Sequence, residues 1–332
     1  MPRLTGHFFC CVCDNLFRVK KENTFKPEIV KTNLIVILGP TASGKTSHAV
    51  RIADDFNGEV ISADSRQVYK GMDIGTGKDL SEYHVRDKTI AHHLIDILDP
   101  FEEFNVFEYQ KRFYAIFSYL LDKNVLPVLV GGSGLYLEAV LMDYKMPYAQ
   151  PDQCIRQELA VLSVNELQNI LLDLNPHLHN KTDLEDKDRL IRKIEIERVR
   201  NNPQFNLTQS PAIHAGVFGI SWDRSELKRR IAVRLEQRLA EGMIEEVEQL
   251  NKQGVSWERL ESFGLEYRYI AWYLQNKMSK DDMTGKLQIA IGQFAKRQMT
   301  WFRRMEKKGV AIEWINGKDY DLLHSKVLEK LT

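Results

Sequence analysis

The chain has 332 residues, enough for a full α/β core and one smaller domain. Its 46 basic and 46 acidic side chains balance, so the net charge does not indicate a nucleic-acid partner. Only local clusters of basic residues could indicate one. No apolar run approaches the roughly 20 residues of a membrane span. We therefore expect no membrane partner. The four cysteines predict neither a disulfide framework nor a zinc site, which favours a cytoplasmic protein.

Residues 1–30 are interpreted as an N-terminal extension with a basic end. Its cysteines are Cys10, Cys11 and Cys13, and its short apolar stretch makes a poor signal peptide. Disorder and a wrongly assigned start site are both open explanations for this segment.

Strand and helix patterns alternate from residue 33 to about 144. The predicted strands are 34–38, 59–63, 90–98 and 125–130, and the predicted helices are 47–56, 106–123 and 135–143. Asn105 with Glu108 resembles a capping box, and the 106–123 helix has its apolar residues on one face. Such alternation predicts a mostly parallel sheet covered by helices, an α/β fold.

The composition changes after residue 147. Residues 151–208 hold polar helical segments, and a loop over 201–211 follows. A strand is predicted at 215–222, a long helix begins with a capping-box-like pair at Asp223 and Glu226, further helices run to about 308, and a last strand covers 310–315. We therefore predict a core of residues 31–147 and 211–332, with a helical insertion at 148–210.

The first predicted strand runs into the pattern G-x-x-x-x-G-K-[ST], which a helix follows. In this context the pattern predicts a phosphate-binding loop, in which backbone N–H groups converge on an anion. Lys45 adds a positive charge, and Thr46 offers a hydroxyl to Mg²⁺. The predicted diphosphate-binding residues are Gly39, Pro40, Thr41, Ala42, Ser43, Gly44, Lys45 and Thr46.

A phosphate loop does not by itself separate an ATPase, a kinase and a transferase. The 125–130 strand ends in Gly131 and Gly132 rather than in an Asp that would hold Mg²⁺, which weakens the hydrolase interpretation without excluding kinases. Asp64 follows the second strand and should face the same crevice as the loop. It is either a general base or a turn cap, and spacing alone leaves both open.

Six motifs in order make the chain similar to the tRNA dimethylallyltransferase family over about residues 33–305. They lie at 39–46, 62–65 (Ser-Ala-Asp-Ser), 69–76 (Tyr-Lys-Gly-Met-Asp-Ile-Gly-Thr), 92–96 (His-His-Leu-Ile-Asp), 131–136 (Gly-Gly-Ser-Gly-Leu-Tyr) and 295–301 (Ala-Lys-Arg-Gln-Met-Thr-Trp). The resemblance implies a P-loop NTPase-like core with a helical insertion. It also implies transfer of a dimethylallyl group from dimethylallyl diphosphate to N6 of adenosine-37 beside the anticodon of tRNA, with Mg²⁺ as cofactor.

The resemblance also implies roles for single residues. Asp64 matches a general base, Arg234 an arginine on the diphosphate, and Thr46 the metal ligand of the catalytic set. A solvated arginine is the alternative for Arg234, and a helix N-cap is the alternative for Ser133. The expected contacts to the tRNA anticodon arm are Asp64, Ser65, Arg66, Gln67, Ser133, Arg156, Asp188, Arg189, Leu190, Ile191, Arg192, Lys296, Arg297 and Gln298.

Basic clusters at 187–192, 228–238 and 296–304 fit RNA binding, although each could be a solvated helix face. The segment Ser262–Arg268 is two residues longer than the family's usual Val-Gly-Tyr-Arg-like segment, so its tRNA contacts stay open. His92 and His93 are interpreted as structural, and a monomer is expected. The alternatives are a small-molecule P-loop kinase that uses ATP, an enzyme that prenylates free adenine nucleotides, and a non-enzymatic RNA-binding protein.

Overall fold

The computed structural model describes residues 31–146, 152–176, 185–201 and 210–332. The predicted extension 1–30, the predicted boundary at 147/148 and most of the predicted loop 201–211 therefore lie outside the described residues.

Six parallel strands form the sheet that organises the described part of the chain. Their order is β5-β2-β6-β1-β7-β8, and a separate antiparallel pair joins β3 to β4. The strands are β1 Leu34–Leu38, β2 Gly58–Ala63, β3 His84–Val85, β4 Lys88–Thr89, β5 His92–His93, β6 Leu126–Gly131, β7 Ala215–Ser221 and β8 Ile312–Asn316. The predicted α/β fold with a parallel sheet is confirmed.

Helices cover both faces of the sheet. They are α1 Lys45–Asp55, α2 Val106–Asp122, α3 Gly134–Leu141, α4 Gln153–Ala160, α5 Val164–Leu174, α6 Lys187–Arg200, α7 Arg224–Ala240, α8 Met243–Lys252, α9 Trp257–Ser262, α10 Leu265–Leu274, α11 Lys280–Lys307 and α12 Tyr320–Leu331, with a 3₁₀ turn at Leu80–Tyr83. The side chain of Asn105 caps α2 by accepting a hydrogen bond from the Glu108 N–H, as its spacing predicts.

Two local predictions were wrong. The predicted strand 90–98 keeps only His92 and His93 in the sheet, because Leu94 and Asp96 take left-handed φ values of 62° and 54° that break the ladder. At the start of α7, Asp223 makes no side-chain capping bond, and Glu226 instead accepts two hydrogen bonds from Arg229 at 2.9 and 2.8 Å.

Every residue of β1 is buried, and its side chains alternate between two hydrophobic cores. Ile35 and Ile37 join the core that contains residues of α1 and α12, whereas Leu34, Val36 and Leu38 join the core that contains residues of α2, α3 and α11. A strand buried on both faces is what a parallel sheet covered by helices requires.

Helices α4, α5 and α6 share a separate small core. Its fully buried members are Leu159, Leu167, Leu171, Leu190 and Ile194. Each short helix buries its apolar stripe against the other two, so the three helices form a packed unit. In the sequence, this unit lies between α3 and β7.

The contact between β6 and β2 leaves no space for a side chain at Gly131, where a Cβ would lie 2.2 Å from the carbonyl oxygen of Ala63. We expect Gly131→Ala to lower the free energy of unfolding by about 2 kcal/mol, because the strands must separate to fit the methyl group. Gly292→Ala in α11 is the control, since nothing lies within 4 Å of its Cβ. This change should raise stability by about 0.5 kcal/mol in denaturant titrations, and equal effects would contradict the packing argument.

Candidate active site

Three adjacent strands end beside one cavity of about 1170 Å³. The phosphate loop follows β1, Asp64 follows β2, and Gly132 and Ser133 follow β6. Because β6 pairs with both β1 and β2, these segments meet at the carboxyl edge of the sheet, where ligands bind in open α/β folds. Residues of α7, α10 and α11 complete the wall of the cavity.

The phosphate loop has the left-handed turns that bring its backbone around an anion. Ala42 has φ 61°, and Gly44, at the start of α1, has φ 83°. Gly44 is suited to this conformation because it has no Cβ. Lys45 and Thr46 open the helix and line the cavity, so the helix N-terminus faces the space in which a phosphate group would sit.

Two side chains beyond the loop brace it from the β7 side. The indole N–H of Trp222 donates to the Ser43 carbonyl at 2.8 Å, and Nε of Arg230 donates to the Ala42 carbonyl at 2.8 Å. The Arg230 guanidinium also stacks over the Trp222 ring at 4.3 Å from its centroid. These contacts fix the carbonyl groups of the loop on the side of β7.

Gln298 connects two of the three segments that meet at the cavity. Its Oε1 accepts a hydrogen bond from the Thr41 N–H at 2.8 Å, and its Nε2 donates to the Gly132 carbonyl at 2.9 Å. The side chain is buried, and it lines the inner wall of the cavity. Both ends of its amide group therefore bind backbone, one in the phosphate loop and the other in the segment after β6.

The electrostatic surroundings of Lys45 lower its pKa to about 8. Burial is the main cause and repulsion by Arg234 the second, while Asp64 and Asp79 partly offset them. A desolvated lysine that lacks a strong counter-ion is a favourable site for an incoming anion.

Asp64 lines the cavity and also shapes its own turn. Its Oδ1 accepts a hydrogen bond from the Arg66 N–H at 2.8 Å, so the turn-capping interpretation holds for one carboxylate oxygen. Ser133 precedes α3 without capping it; its hydroxyl instead accepts a hydrogen bond from the Ser65 N–H at 3.3 Å. The segments after β2 and β6 are therefore linked beside the carboxylate.

Arg234 and Arg238 point toward the same carboxylate from successive turns of α7. Asp79 accepts a hydrogen bond from Arg234 at 2.5 Å, and Arg238 lies 3.4 Å from both of its oxygens. Burial alone would raise the pKa of Asp79, but the two guanidinium groups outweigh it and hold that pKa below its usual value. All three residues line the cavity, and Arg234 is ion-paired with Asp79 there rather than lying on an open helix face.

Two further carboxyl groups at the cavity have pKa values above their usual range. Burial, reinforced by Asp79, raises the pKa of Glu82. Burial likewise raises the pKa of Glu266, which lies two residues beyond the α9–α10 turn, where Gly264 has φ 134°. Residues 263–268 of the segment Ser262–Arg268 thus line the cavity.

Five charged residues at the cavity were given no individual role from the sequence: Arg230, Arg238, Asp79, Glu82 and Glu266. Arg230 and Arg238 were included only in the basic cluster 228–238, and Glu266 only in the segment Ser262–Arg268. A signal for two of them was available, because Arg230, Arg234 and Arg238 recur every four residues and so share one face of α7. The three carboxyl groups gave no comparable signal, since only tertiary packing brings them to the cavity.

The predicted RNA contacts of α4 and α6 lie away from this cavity. Arg156 and Arg192 both bind the buried carboxylate of Glu195, with Nε to Oε1 at 2.9 Å and Nη1 to Oε2 at 3.0 Å. Asp188 is exposed and Arg189 largely exposed. Leu190 and Ile191 belong to the core of the α4–α6 unit, so their side chains are not at its surface.

On α11, Lys296 and Arg297 are exposed. Arg297 lies near the Phe294 ring, at 5.8 Å from its centroid, and Arg304 stacks over Trp301 at 4.0 Å. Phe294, Arg297 and Trp301 line the cavity, so basic and aromatic side chains alternate along this wall.

His92 and His93 do not line the cavity. The ring of His92 packs against Tyr83, and Nε2 of His93 lies 2.7 Å from Glu59. No group of three His, Cys, Asp or Glu side chains that could hold a metal ion occurs in the described ranges. Nor is any helix of these ranges long and apolar enough to cross a membrane.

A parallel sheet with a glycine-lysine phosphate loop after its central strand defines a P-loop protein. Among family models, that of IPP transferase matches residues 67–305 and that of isopentenyl transferase residues 32–89. The chain belongs to the IPP transferase family and is therefore an enzyme, a transferase, as its motifs predict.

Individual relatives support this membership. The chain is 52% identical over 301 residues to tRNA dimethylallyltransferase 1 of Syntrophus aciditrophicus, a match that covers 89% of this chain and 97% of the relative. It is 49% identical to tRNA dimethylallyltransferase 2 of Citrifermentans bemidjiense, over 89% and 94% of the two chains. The crystal structure of the full-length tRNA isopentenylpyrophosphate transferase of Bacillus halodurans superposes with a TM-score of 0.65 at 31% identity, covering 91% and 97%.

The lowered pKa of Lys45 predicts a pH dependence of anion binding. Below a pH of about 8 the ammonium is charged and attracts diphosphate; as the pH rises through this value, the charge and the affinity are lost together. Calorimetric titration with inorganic diphosphate on both sides of that pH should show the loss. Lys45→Arg is the control, because arginine stays protonated throughout; an identical profile in this variant would assign the effect to the ligand instead.

Proposed function

We propose that this enzyme transfers a dimethylallyl group from dimethylallyl diphosphate to N6 of adenosine-37 in tRNA and releases diphosphate. The observation that carries the proposal is the shared cavity, which brings the phosphate loop and the carboxylate of Asp64 together. The names of the relatives, which describe transferases of this type, support the same substrates.

The diphosphate would bind the loop from Gly39 to Thr46, with Lys45 and Arg234 as its cationic partners. As the C–O bond to the allylic carbon breaks, its electron pair goes to the diphosphate, which gains negative charge. Loop N–H groups and cations held in fixed positions stabilise such a leaving group. The braces on the loop keep these donors in place before the reaction begins.

The residues at the loop fit a Mg²⁺ ion that takes most of its ligands from substrate. Mg²⁺ is commonly held by one or two protein oxygens together with phosphate oxygens and water, and Thr46 opens α1 at the cavity with a hydroxyl group. Bound there, the ion would neutralise part of the charge on the leaving diphosphate.

Asp64 would act as the general base. When N6 of the adenine forms its bond to the allylic carbon, the nitrogen loses a proton, and the free oxygen of this carboxylate is available to accept it. Because the amino group is a weak nucleophile, holding it close to the electrophile supplies much of the rate. Ser65, Arg66, Gln67 and Ser133 line the same cavity and would hold the flipped-out base. The amide of Gln67 also accepts a hydrogen bond from the Ser62 hydroxyl and donates one to the Gly77 carbonyl, which would keep its side chain in place.

The tRNA arm would lie across two basic surfaces. One lies in the predicted insertion, residues 148–210, where Arg189 is exposed, Arg156 and Arg192 share the carboxylate of Glu195, and Asp188 is an acidic neighbour that would meet RNA hydroxyl or amino groups. The other is formed by Lys296 and Arg297 on α11. Leu190, Ile191 and Gln298 are buried and would act through the backbone they support. The core, 31–147 and 211–332, would carry the chemistry as a cytoplasmic monomer.

A transfer assay tests the proposal: purified protein, Mg²⁺, labelled dimethylallyl diphosphate and unmodified tRNA, followed by mass spectrometry of the nucleosides. Prenylated adenosine in the tRNA is the expected product. Product with free AMP but none with tRNA would identify a nucleotide prenyltransferase. Failure with both acceptors would overturn prenyl transfer, and ATP would be the next donor to test.

Asp64→Asn should lower turnover by about 10²-fold or more, because the amide cannot accept the proton. Its affinity for tRNA, measured by filter binding, should change little, since the turn and the shape of the side chain remain. Asp122→Asn at the exposed end of α2 is a matched control that should keep full turnover. Full turnover in Asp64→Asn would show that another group is the base.

Lys296→Gln and Arg189→Gln should each weaken tRNA binding without changing the affinity for inorganic diphosphate. If each side chain contacts one phosphate, the slope of log affinity against log salt should fall in magnitude by about 1 per substitution. Lys326→Gln on α12 serves as the control, and its slope should equal that of the unaltered protein. Unchanged slopes in both test variants would place the RNA on another surface.

A further inference from the structure

We propose that Glu246 of α8 is a positioning residue for diphosphate capture. It holds the segment from Asp73 to Asp79, termed here the clamped loop, so that Asp79 keeps Arg234 and Arg238 at the cavity. The inference rests on the proposed function, because it assumes that the arginine pair meets a diphosphate.

Both oxygens of the Glu246 carboxylate are occupied by the clamped loop and its support. Oε2 accepts hydrogen bonds from the N–H groups of Asp73 and Ile74, each at 2.7 Å. Oε1 accepts from the Gly75 N–H at 3.0 Å and from the Tyr267 hydroxyl at 2.7 Å. Three consecutive backbone N–H groups thus converge on one carboxylate from a distant helix, which fixes the start of the loop.

A buried cation anchors the other end of the clamped loop. Lys78 is fully buried, and its ammonium donates to the Tyr69 carbonyl at 2.8 Å, to Asp73 at 2.6 Å and to Asp96. Both ends of the loop are therefore held, and Asp79 follows the anchored lysine directly.

Close packing leaves the clamped loop no room to shift toward the helices. A Cβ at Gly75 would lie 2.7 Å from the ring of Tyr267, and one at Gly77 would lie 1.7 Å from Nη2 of Arg238. Gly77 also has φ 65°, a conformation that favours glycine. The backbone itself is thus one wall of the space that the Arg238 side chain occupies.

Asp79 links the clamped loop to the two arginines, so the position of the loop determines where their guanidinium groups lie. It takes φ 46° and presents its carboxylate to both guanidinium groups on α7. A long side chain held before its ligand arrives loses less entropy on binding than a free one. The chain of contacts from Glu246 through the loop to Asp79 therefore prepares the arginine pair for an anion.

Glu246→Gln tests this role, because the amide places an N–H₂ group against backbone N–H donors. We expect the affinity for inorganic diphosphate to fall about tenfold, with a matching rise in KM for dimethylallyl diphosphate and no change in KM for tRNA. Glu245→Gln, an exposed neighbour on α8, is the matched control. Gly75→Ala should reproduce the loss, since it displaces the same loop without altering the carboxylate.

A double substitution separates positioning from general destabilisation. In an Asp79→Ala background, Glu246→Gln should have no further effect on diphosphate affinity, because the loop then presents nothing to the arginines. A full, additive effect would overturn the proposal, as would unchanged affinity in both Glu246→Gln and Gly75→Ala. If the unaltered protein binds no diphosphate, the proposed function fails as well; if it binds and both variants bind equally, only this inference fails.

Discussion

The in-register parallel pairing of three strands is the constraint on which the site depends. Gly131 at the end of β6 pairs with Leu38 at the end of β1 and with Ala63 at the end of β2, so all three strands stop at one level. The phosphate loop, Asp64 and Ser133 follow these ends directly. Because the side chains of β1 alternate between two hydrophobic cores, a slip of one residue in its register would exchange them between the cores and disrupt the packing of both.

The charged side chains of the cavity suit an anionic ligand at the carboxyl edge of the sheet. Lys45, Arg234 and Arg238 bring positive charge to a place where burial makes it costly, as the lowered pKa of Lys45 shows. Asp79 offsets part of this cost without filling the phosphate loop itself. An arriving diphosphate would supply the remaining negative charge, which is why an electrophile with this leaving group suits the site better than a neutral ligand.

Structural features that depend on residues close together in the sequence could be predicted from it. The phosphate loop, the strand that precedes it and the cap of α2 each depend on neighbouring residues, and each was predicted at or near its observed position. The clamp by Glu246 and the ion pairs of Asp79 join residues more than 150 positions apart, so no local pattern could reveal them. The predicted strand 90–98 was wrong for a related reason. Its apolar composition is typical of a strand and gives no sign that Leu94 and Asp96 adopt left-handed backbone conformations.

A crystal structure of the protein with Mg²⁺, inorganic diphosphate and an anticodon stem-loop would test most directly whether one cavity holds all the reacting groups. We expect the diphosphate to lie against the N–H groups after β1, with Lys45 and Arg234 on its oxygens. We also expect one extruded adenine to present N6 within hydrogen-bond reach of Asp64. An adenine held outside the cavity, or a diphosphate bound away from the loop, would contradict the claim that one cavity brings donor, acceptor and base together.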